Sequence, residues 1–235
     1  MSDFFQFKQF KVYHGKSSMK VGTDAVLLGC YLPIENCKNI LEIGCGSGVI
    51  SLVAAQRSEA SILGIDIHKD SVLQAQQNYD ISPWASLLTS QQISLQELAE
   101  NNNQRFDCIM SNPPFFENSM KSPSSKRNLA RHNDSLSPTD LILSVKKLLN
   151  PNGILSLVLP KTEGEDLIRL SIKHGFFLKK KVLVFPKASK DYNRVIFDLI
   201  QVPMPTTCEK LIIREENNEY TVKYRELTKD FYLAF

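Results

Sequence analysis

The chain has few of the features that mark metal-binding or disulfide-stabilised proteins. Its 235 residues include five cysteines, and no two of them form a CxxC pair. The four histidines form no HExxH motif. Neither a zinc site nor a disulfide framework is therefore indicated, and we expect no bound metal. The cysteines are predicted to be small core residues; they are Cys30, Cys37, Cys45, Cys108 and Cys208.

Long apolar runs and a strong charge of one sign are also absent. No run approaches the roughly 20 apolar residues that span a bilayer, and the opening MSDFFQ does not resemble a signal peptide. A cytoplasmic protein is the expectation. The net charge of +3 is too small to indicate a nucleic-acid partner by itself. With 43% hydrophobic and 23% charged residues, the composition is typical of a globular protein that buries a sizeable core.

Apolar stretches alternate with amphipathic ones along the chain, which predicts repeated strand and helix units. We predict an α/β fold with a mostly parallel, seven-stranded sheet and helices on both faces. The predicted strands lie near 39–43, 61–66, 84–89, 106–111, 153–159, 177–185 and 194–202, and the helices near 49–58, 69–79, 93–101, 137–149 and 162–173. One domain over 1–235 is the economical interpretation, with an N-terminal extension at 1–36, a core at 37–205, and a hairpin and helix at 206–235.

A glycine-rich turn lies between the first predicted strand of the core and the helix after it. The sequence LEIGCGSG places Gly44, Gly46 and Gly48 at alternate positions, shortly after Glu42. Glycines allow a sharp turn and a close approach of the backbone to a ligand, and a helix N-terminus offers unpaired N–H groups. A tight turn without a ligand is the alternative. The spacing departs from the dinucleotide fingerprint GxGxxG and resembles motif I of S-adenosylmethionine-dependent methyltransferases.

Asp66 ends the next predicted strand, about twenty residues after the glycine motif. At this position a carboxylate can accept hydrogen bonds from both ribose hydroxyls of a nucleoside cofactor. Asp66 is also placed to cap the helix predicted at 69–79. The two roles are compatible.

The segment MSNPPFF, residues 110–116, follows the fourth predicted strand, at the carboxyl edge where open α/β sheets bind ligands. Asn112 and Pro113 offer a side-chain and a main-chain oxygen to hold both hydrogens of a planar amine. Pro114 makes the corner rigid, and Phe115 can stack on a base. A proline-rich turn capped by core phenylalanines is the alternative. The motif NPPF resembles the catalytic motif of amino-methyltransferases that act on adenine N6, guanine N2 or a glutamine amide.

Residues 5–33, FQFKQFKVYHGKSSMKVGTDAVLLGCYLP, resemble the N-terminal signature of bacterial tRNA adenine-N6 methyltransferases, and the resemblance continues to the final LTKDFYLAF. Members of that family modify the adenine 3′ of the anticodon in a valine tRNA. The resemblance implies that residues 19–24 lie against the methionine end of the cofactor, where Thr23 and Asp24 hydrogen-bond it and the N-terminal extension closes the site. For Gly22, Thr23 and Asp24 taken alone, a helix N-cap is the alternative.

The resemblance also implies the other contacts of the cofactor, S-adenosyl-L-methionine. After the third predicted strand, where related enzymes often carry an acidic residue for the adenine amine, this chain has SQQIS, which leaves Gln92 or Ser94 as the contact. The complete implied set is Thr23, Asp24, Glu42, Gly44, Gly46, Gly48, Asp66, Ile67, Gln92 and Asn112.

The segment after the NPPF corner, residues 121–132, is basic and polar and contains no acid. Beside an active site it would neutralise phosphates around the target base. The residues that would bind RNA in this way are Lys121, Lys126, Arg127 and Arg131. A solvated loop is the alternative, and the same choice applies to a second basic cluster, Lys8, Lys11, Lys16 and Lys20.

We therefore expect a Rossmann-like class I methyltransferase that moves a methyl group from S-adenosyl-L-methionine to adenine N6 in tRNA, as a monomer. One alternative is another amino-methyltransferase, which acts on rRNA guanine N2 or on a release-factor glutamine. A second is a non-catalytic RNA-binding module, which the intact NPPF motif disfavours because binding alone requires no such geometry. A nicotinamide dehydrogenase is disfavoured by the glycine spacing.

Overall fold

A computed structural model shows a small hairpin near the start of the chain. The residues that the structure describes are 3–15, 20–101, 104–113 and 136–235. Strands β1 (Phe4–Gln6) and β2 (Lys11–Tyr13) pair antiparallel. Phe7 and Phe10, between the two strands, are buried and stack with their ring centroids 4.5 Å apart. This aromatic pair joins the core on one side of the main sheet, and the hairpin is not among the predicted elements.

Eight strands form the main sheet. They are β3 (Asn39–Ile43), β4 (Ser61–Asp66), β5 (Leu88–Gln92), β6 (Phe106–Ser111), β7 (Leu149–Pro160), β8 (Phe177–Lys187), β9 (Arg194–Ile200) and β10 (Thr207–Arg214). Their order is β10-β8-β9-β7-β6-β3-β4-β5, and only β9 runs antiparallel to its neighbours. Helical crossovers explain the parallel pairing from β3 to β7, because each one returns the chain to the same edge of the sheet, whereas β10 reaches its parallel partner β8 by way of β9. The predicted mostly parallel α/β class is confirmed.

Helices cover both faces of this sheet. In the described ranges they are α1 (Thr23–Tyr31), α2 (Val49–Ala55), α3 (Lys69–Asp80), α4 (Leu95–Asn101), α5 (Pro138–Leu148), α6 (Lys161–Lys173) and α7 (Val222–Thr228). Ile40 of β3 packs in the buried cluster with α1, α2, α3 and α7, whereas the next residue, Leu41, packs with α4, α5 and α6. Successive strand residues point to opposite faces, so the two clusters are the two sides of one sheet.

The sequence of α5 illustrates how these helices form. Leu141, Val145 and Leu148 recur at helical spacing and are fully buried. The helix begins after Ser137, whose hydroxyl accepts a hydrogen bond from the main-chain N–H of Asp140 at 3.1 Å. No helix in the described part of the chain is long and apolar enough to cross a membrane.

Strand β5 starts later than the predicted 84–89. Residues Ala85–Leu87 form a 3₁₀ turn, and the strand begins at Leu88. Trp84 packs edge-on against Phe10 of the N-terminal hairpin, with ring centroids 5.7 Å apart. Trp84, the first residue of the predicted strand, therefore packs against the hairpin instead of joining the sheet.

The predicted hairpin within 206–235 is reduced to a single antiparallel bridge between Arg214 and Tyr220. The preceding residues form β10, which pairs in parallel with β8 and adds an eighth strand to the seven predicted. Leu211 of β10 is fully buried in the core cluster. Burial of its apolar surface favours this edge position over an isolated hairpin, which is only marginally stable in water.

The sheet reverses its winding direction between β3 and β6. From β3 the chain adds β4 and β5 on one side and then β6 on the other. Open α/β sheets bind ligands in the crevice at the carboxyl ends of the strands at such a switch point. The hydroxyl of Ser111, the last residue of β6, donates a hydrogen bond to the main-chain oxygen of Ile43, the last residue of β3, at 2.7 Å. This contact joins the strand ends that carry the glycine and NPPF motifs.

Candidate active site

The glycine-rich turn between β3 and α2 has a backbone conformation that favours glycine. Gly44, Gly46 and Gly48 have φ values of +68°, +54° and +78°. A Cβ at Gly44 or Gly46 would have no atom within 4 Å, so open space lies beside the backbone there. At Gly48 a Cβ would lie 2.4 Å from a ring carbon of Tyr79. The turn therefore presents its backbone to the crevice at Gly44 and Gly46 and packs against α3 at Gly48.

Asp66 lies beside this turn, at the end of β4. One carboxylate oxygen accepts a hydrogen bond from the N–H of Gly46 at 3.1 Å, and the other accepts one from the N–H of His68 at 2.9 Å. The N-cap of α3 is His68, so Asp66 fixes the turn before the helix and does not itself occupy the capping position. Each carboxylate oxygen retains a second lone pair, and Asp66 is only half-buried. Both oxygens can therefore still accept hydrogen bonds from ribose hydroxyls.

Glu42 is buried under the turn, with 1% of its surface exposed. Its carboxyl group accepts a hydrogen bond from the N–H of Ser51 in α2 at 3.0 Å and also contacts the Ser51 hydroxyl. Burial raises the pKa of Glu42 from 4.5 to about 8, because the ionised form loses its water and the bonds to Ser51 only partly compensate. The structure shows a supporting contact in which Glu42 holds α2 under the turn, and the direct cofactor contact stays a prediction.

We expect the contribution of Glu42 to stability to decrease as the pH rises from 4.5 to about 8. The folded protein retains the Glu42 proton up to about pH 8, whereas the unfolded chain releases it near 4.5. Over this interval the folded state binds more protons, so a rise in pH favours unfolding. Glu42→Gln should flatten this dependence, as measured by urea denaturation at pH values of about 5 and about 8. The same pH dependence in both proteins would contradict a raised pKa.

Ile67 and Gln92 lie together at the ends of β4 and β5. The Gln92 amide donates a hydrogen bond to the main-chain oxygen of Ile67 at 3.1 Å, and Gln92 is the strand partner of Asp66. Ile67 is 46% exposed, which offers an apolar surface beside the carboxylate of Asp66. The Ser94 hydroxyl accepts a hydrogen bond from the N–H of Glu97 at the start of α4. Both adenine contacts that the sequence left open stay predictions, with Gln92 bonded to Ile67 and Ser94 placed directly before α4.

Asn112 and Pro113 follow β6 directly, where Asn112 is half-buried and Pro113 is buried. Strand β6 pairs with β3, so about 4.8 Å separates the strand that carries the NPPF corner from the strand that carries the glycine turn. The structure therefore places Asn112 and Pro113 close to the glycine turn. The other predicted catalytic residues, Pro114 and Phe115, lie outside the described residues, as do the predicted RNA-binding residues Lys121, Lys126, Arg127 and Arg131.

Thr23 and Asp24 begin α1 at the same edge of the sheet. The N-cap of α1 is Gly22, as the capping alternative predicts, and no side chain forms a capping hydrogen bond there. Asp24 forms an ion pair with Arg194, the first residue of β9, with 2.8 Å between Oδ2 and Nε. Strand β9 lies two strands from β6, on the side opposite β3. The N-terminus of α1 is therefore held across Asn112 from the glycine turn.

Asn78, which no sequence motif indicates, joins the N-terminal hairpin to the glycine turn. Its fully buried amide donates to the main-chain oxygens of Tyr13 and Ser47, both at 2.8 Å, and accepts from the N–H of Tyr13 at 2.9 Å. Asn78 shares the inward face of α3 with Ala75 and Tyr79. A polar side chain on a buried helical stripe is the signal that could have revealed it, because buried amides require partners.

These residues fit S-adenosyl-L-methionine. Gly44 and Gly46 leave open space for close approach of a ligand, and Asp66 has lone pairs for the ribose hydroxyls. Ile67 provides the exposed apolar contact that an adenine ring requires. A mostly parallel sheet with this site at the switch point between β3 and β6 defines a Rossmann-like class I methyltransferase.

Comparisons with known proteins identify the family within that class. The family model of the methyltransferase small domain matches residues 9–176. A relative from Parabacteroides distasonis, named tRNA1(Val) (adenine(37)-N6)-methyltransferase, is 42% identical, with 98% of each chain covered. The chain belongs to the family of tRNA1(Val) (adenine(37)-N6)-methyltransferases.

Solved methyltransferase structures share the fold. A predicted O-methyltransferase from Agrobacterium tumefaciens gives a TM-score of 0.70 at 17% identity, covering 88% of this chain and 96% of that one. A glycopeptide N-methyltransferase in complex with S-adenosyl-L-methionine gives a TM-score of 0.55 at 11% identity, covering 73% of this chain and 90% of that one. At these identities the likeness concerns the fold alone.

Proposed function

We propose that this protein transfers a methyl group from S-adenosyl-L-methionine to N6 of the adenine 3′ of the anticodon in a valine tRNA. The observation that carries this function is the position of Asn112, one strand from the glycine turn at the switch point of the sheet. A module that only binds RNA requires no amide beside a cofactor site. The relative from Parabacteroides distasonis has the same activity in its name.

The residues at the NPPF corner activate the target amine by orienting it. The exocyclic amine of adenine is a poor nucleophile, because its lone pair is delocalised into the ring. Asn112 Oδ1 and the main-chain oxygen of Pro113 each accept one amine hydrogen, which favours localisation of the lone pair. Pro113 is buried and has a fixed φ, so the two acceptors keep a constant separation. The bound cofactor supplies the electrophilic methyl group.

The N-terminal extension, residues 1–36, closes the cofactor site in this proposal. Two contacts of the described residues support it. Asn78 fixes Tyr13 to the glycine turn, and Arg194 fixes Asp24 on the far side of Asn112. Thr23 and Asp24 then lie near the methionine end of the cofactor.

The RNA is proposed to lie over the basic segment 121–132, with Phe115 stacked on the target base. The target adenine belongs to a loop, so its extrusion into the crevice requires less energy than extrusion from a duplex. The enzyme is proposed to act as a monomer in the cytoplasm, where tRNA is modified.

Asp66→Ala is expected to weaken the binding of S-adenosyl-L-methionine by about 1.5–3 kcal/mol, because it removes charge-assisted hydrogen bonds to the ribose. Asp66→Asn keeps one acceptor oxygen and should lose less affinity for S-adenosyl-L-methionine. Isothermal titration calorimetry measures both affinities, and thermal unfolding verifies that the variants are folded. Wild-type affinity in Asp66→Ala would restrict Asp66 to holding the turn between Gly46 and His68.

The product of the reaction tests the proposed function directly. Purified protein and isotope-labelled S-adenosyl-L-methionine should convert an unmodified valine tRNA transcript into one that contains labelled N6-methyladenosine. Digestion to nucleosides and mass spectrometry identify the product. Labelled N2-methylguanosine in rRNA, or a methylated release-factor glutamine, would favour another amino-methyltransferase. Binding of tRNA without any transfer would favour the RNA-binding module.

A further inference from the structure

A groove lies on the carboxyl edge of the sheet beyond the active site, between α1, the ends of β8 and β10, and α7. Its volume is about 260 Å³. The side chains that line it include Thr23, Asn193, Arg194, Arg214, Tyr220 and Tyr224. Apart from Thr23 and Asp24 at one end, the proposed cofactor and catalytic residues leave this groove unused.

Arg214 gives the groove its binding chemistry. Its guanidinium lies over the ring of Tyr220, 3.9 Å from the centroid, and Tyr220 stacks on Tyr224 with centroids 4.9 Å apart. Nη1 of Arg214 donates a hydrogen bond to the main-chain oxygen of Asn218 at 2.5 Å. A guanidinium has five N–H donors, so most of them remain for a ligand. The aromatic stack holds the guanidinium plane in place, which reduces the entropy lost when an anion binds.

The charges of the groove favour an anion. Two guanidinium groups, those of Arg194 and Arg214, line it together with the carboxylate of Asp24. Asp24 already pairs with Arg194, so the positive charge of Arg214 is not compensated by another lining residue. A planar guanidinium on an aromatic ring suits both a phosphate group and a stacked base.

The groove lies close to the position of the target base. Arg194 begins β9, two strands from the end of β6, which carries Asn112. With strands about 4.8 Å apart, the lateral separation is roughly 10 Å. Asp66 and Gln92 lie on the other side of Asn112, at the ends of β4 and β5. An RNA strand that places its adenine at Asn112 can therefore pass its neighbouring nucleotides over the groove, away from the adenosine end of the cofactor.

We propose that the groove binds a phosphate of the RNA next to the target adenine, with Arg214 as the principal contact and Tyr220 as its support. This inference rests on the proposed function, because the occupant is the substrate of that reaction. The groove lies beyond Asn112 on the side opposite Asp66 and Gln92, which specifies a flanking nucleotide and not the adenosine of the cofactor.

Arg214→Gln tests this contact, and Arg225→Gln on the exposed side of α7 is the matched control. Fluorescence anisotropy measures binding of the labelled anticodon stem-loop of valine tRNA over a range of salt concentrations. Arg214→Gln should bind roughly three- to tenfold more weakly and lower the slope of log affinity against log salt by about 0.7, as expected for one phosphate contact to a single strand. Arg225→Gln should change neither quantity. Arg214→Lys retains the charge and should retain the slope.

The outcomes distinguish the groove from the cofactor site. Calorimetric titration with S-adenosyl-L-methionine should give the same affinity for wild type and Arg214→Gln, and a lost cofactor affinity would overturn the proposal. A reduced slope in Arg214→Lys would also overturn it, because the loss would then arise from the disturbed stack on Tyr220. If the wild-type protein binds the stem-loop but forms no N6-methyladenosine, the proposed function is contradicted and the groove proposal is not. Normal methylation by the wild-type protein, together with an unaltered salt slope in Arg214→Gln, would contradict phosphate binding in the groove and leave the proposed function intact.

Discussion

Asn112→Ala is expected to lower the single-turnover rate of methyl transfer by about 10²- to 10³-fold, the effect of removing one preorganised polar partner of a transition state. The hydrogen bond from the amine strengthens as its lone pair localises. Loss of the Asn112 oxygen therefore raises the free energy of the transition state more than that of the ground state. The affinities for S-adenosyl-L-methionine and tRNA should change little. Rapid-quench assays with radiolabelled cofactor measure the rate, and separate titrations measure the affinities.

Asn101→Ala is the matched control for this variant. Asn101 is exposed at the end of α4, which returns the chain to the opposite edge of the sheet before β6. The control should transfer methyl groups at the wild-type rate. Should Asn112→Ala do the same, the catalytic role assigned to the NPPF corner would have to be abandoned.

Gly48→Ala is expected to lower the free energy of unfolding by about 2–5 kcal/mol, through backbone strain and overpacking together. The backbone at Gly48 has a φ of +78°. A Cβ there would lie 2.4 Å from Cε1 and 2.8 Å from Cζ of Tyr79, closer than non-bonded carbon atoms approach. Tyr79 is fully buried in a close-packed core, so its ring has little room to move. Urea denaturation followed by circular dichroism measures the loss.

Gly44→Ala separates strain from overpacking. Gly44 has a comparable φ of +68°, but a Cβ there would have no atom within 4 Å. Gly44→Ala should therefore lower the free energy of unfolding by the strain contribution alone, about 1–2 kcal/mol. Equal losses in the two variants would show that contact between Gly48 and Tyr79 contributes nothing. Gly44→Ala should nonetheless weaken cofactor binding, because its methyl group would occupy the crevice.

The central strands of the sheet could be predicted from the sequence. The observed bounds of β3, β4 and β6 are those of the apolar runs at 39–43, 61–66 and 106–111, because helices cover both faces of these strands and most of their residues are buried. The N-terminal hairpin could not be predicted, since strands of three residues show no periodicity. Helix α1 shows none either, because its residues from Ala25 to Cys30 are all buried.

The candidate site likewise has one part that the sequence predicts and one part that it does not. The glycine turn, Asp66 and Asn112 lie together because each follows a parallel strand or ends one, so the strand pattern alone directs them to one edge. Asn78 and Arg194 contact residues 65 and 170 positions away, and no local pattern specifies such partners. The burial of Glu42 depends on how α2 packs over β3, which the sequence around the turn does not reveal.

The three hydrogen bonds of Asn78 join segments of the chain that are synthesised at different times. The main-chain groups of Tyr13 bond to Asn78 only when α3 has formed, and Asn78 lies 65 residues further along the chain. Contacts between distant parts of a chain form slowly, because the entropy of the intervening loop is lost before they become favourable. During synthesis, the hairpin therefore leaves the ribosome well before the helix that receives it. Phe10 packs against Trp84 and Phe7 against Tyr232, so both rings remain exposed to other chains until these later residues arrive, which makes the early nascent polypeptide a natural target for chaperones.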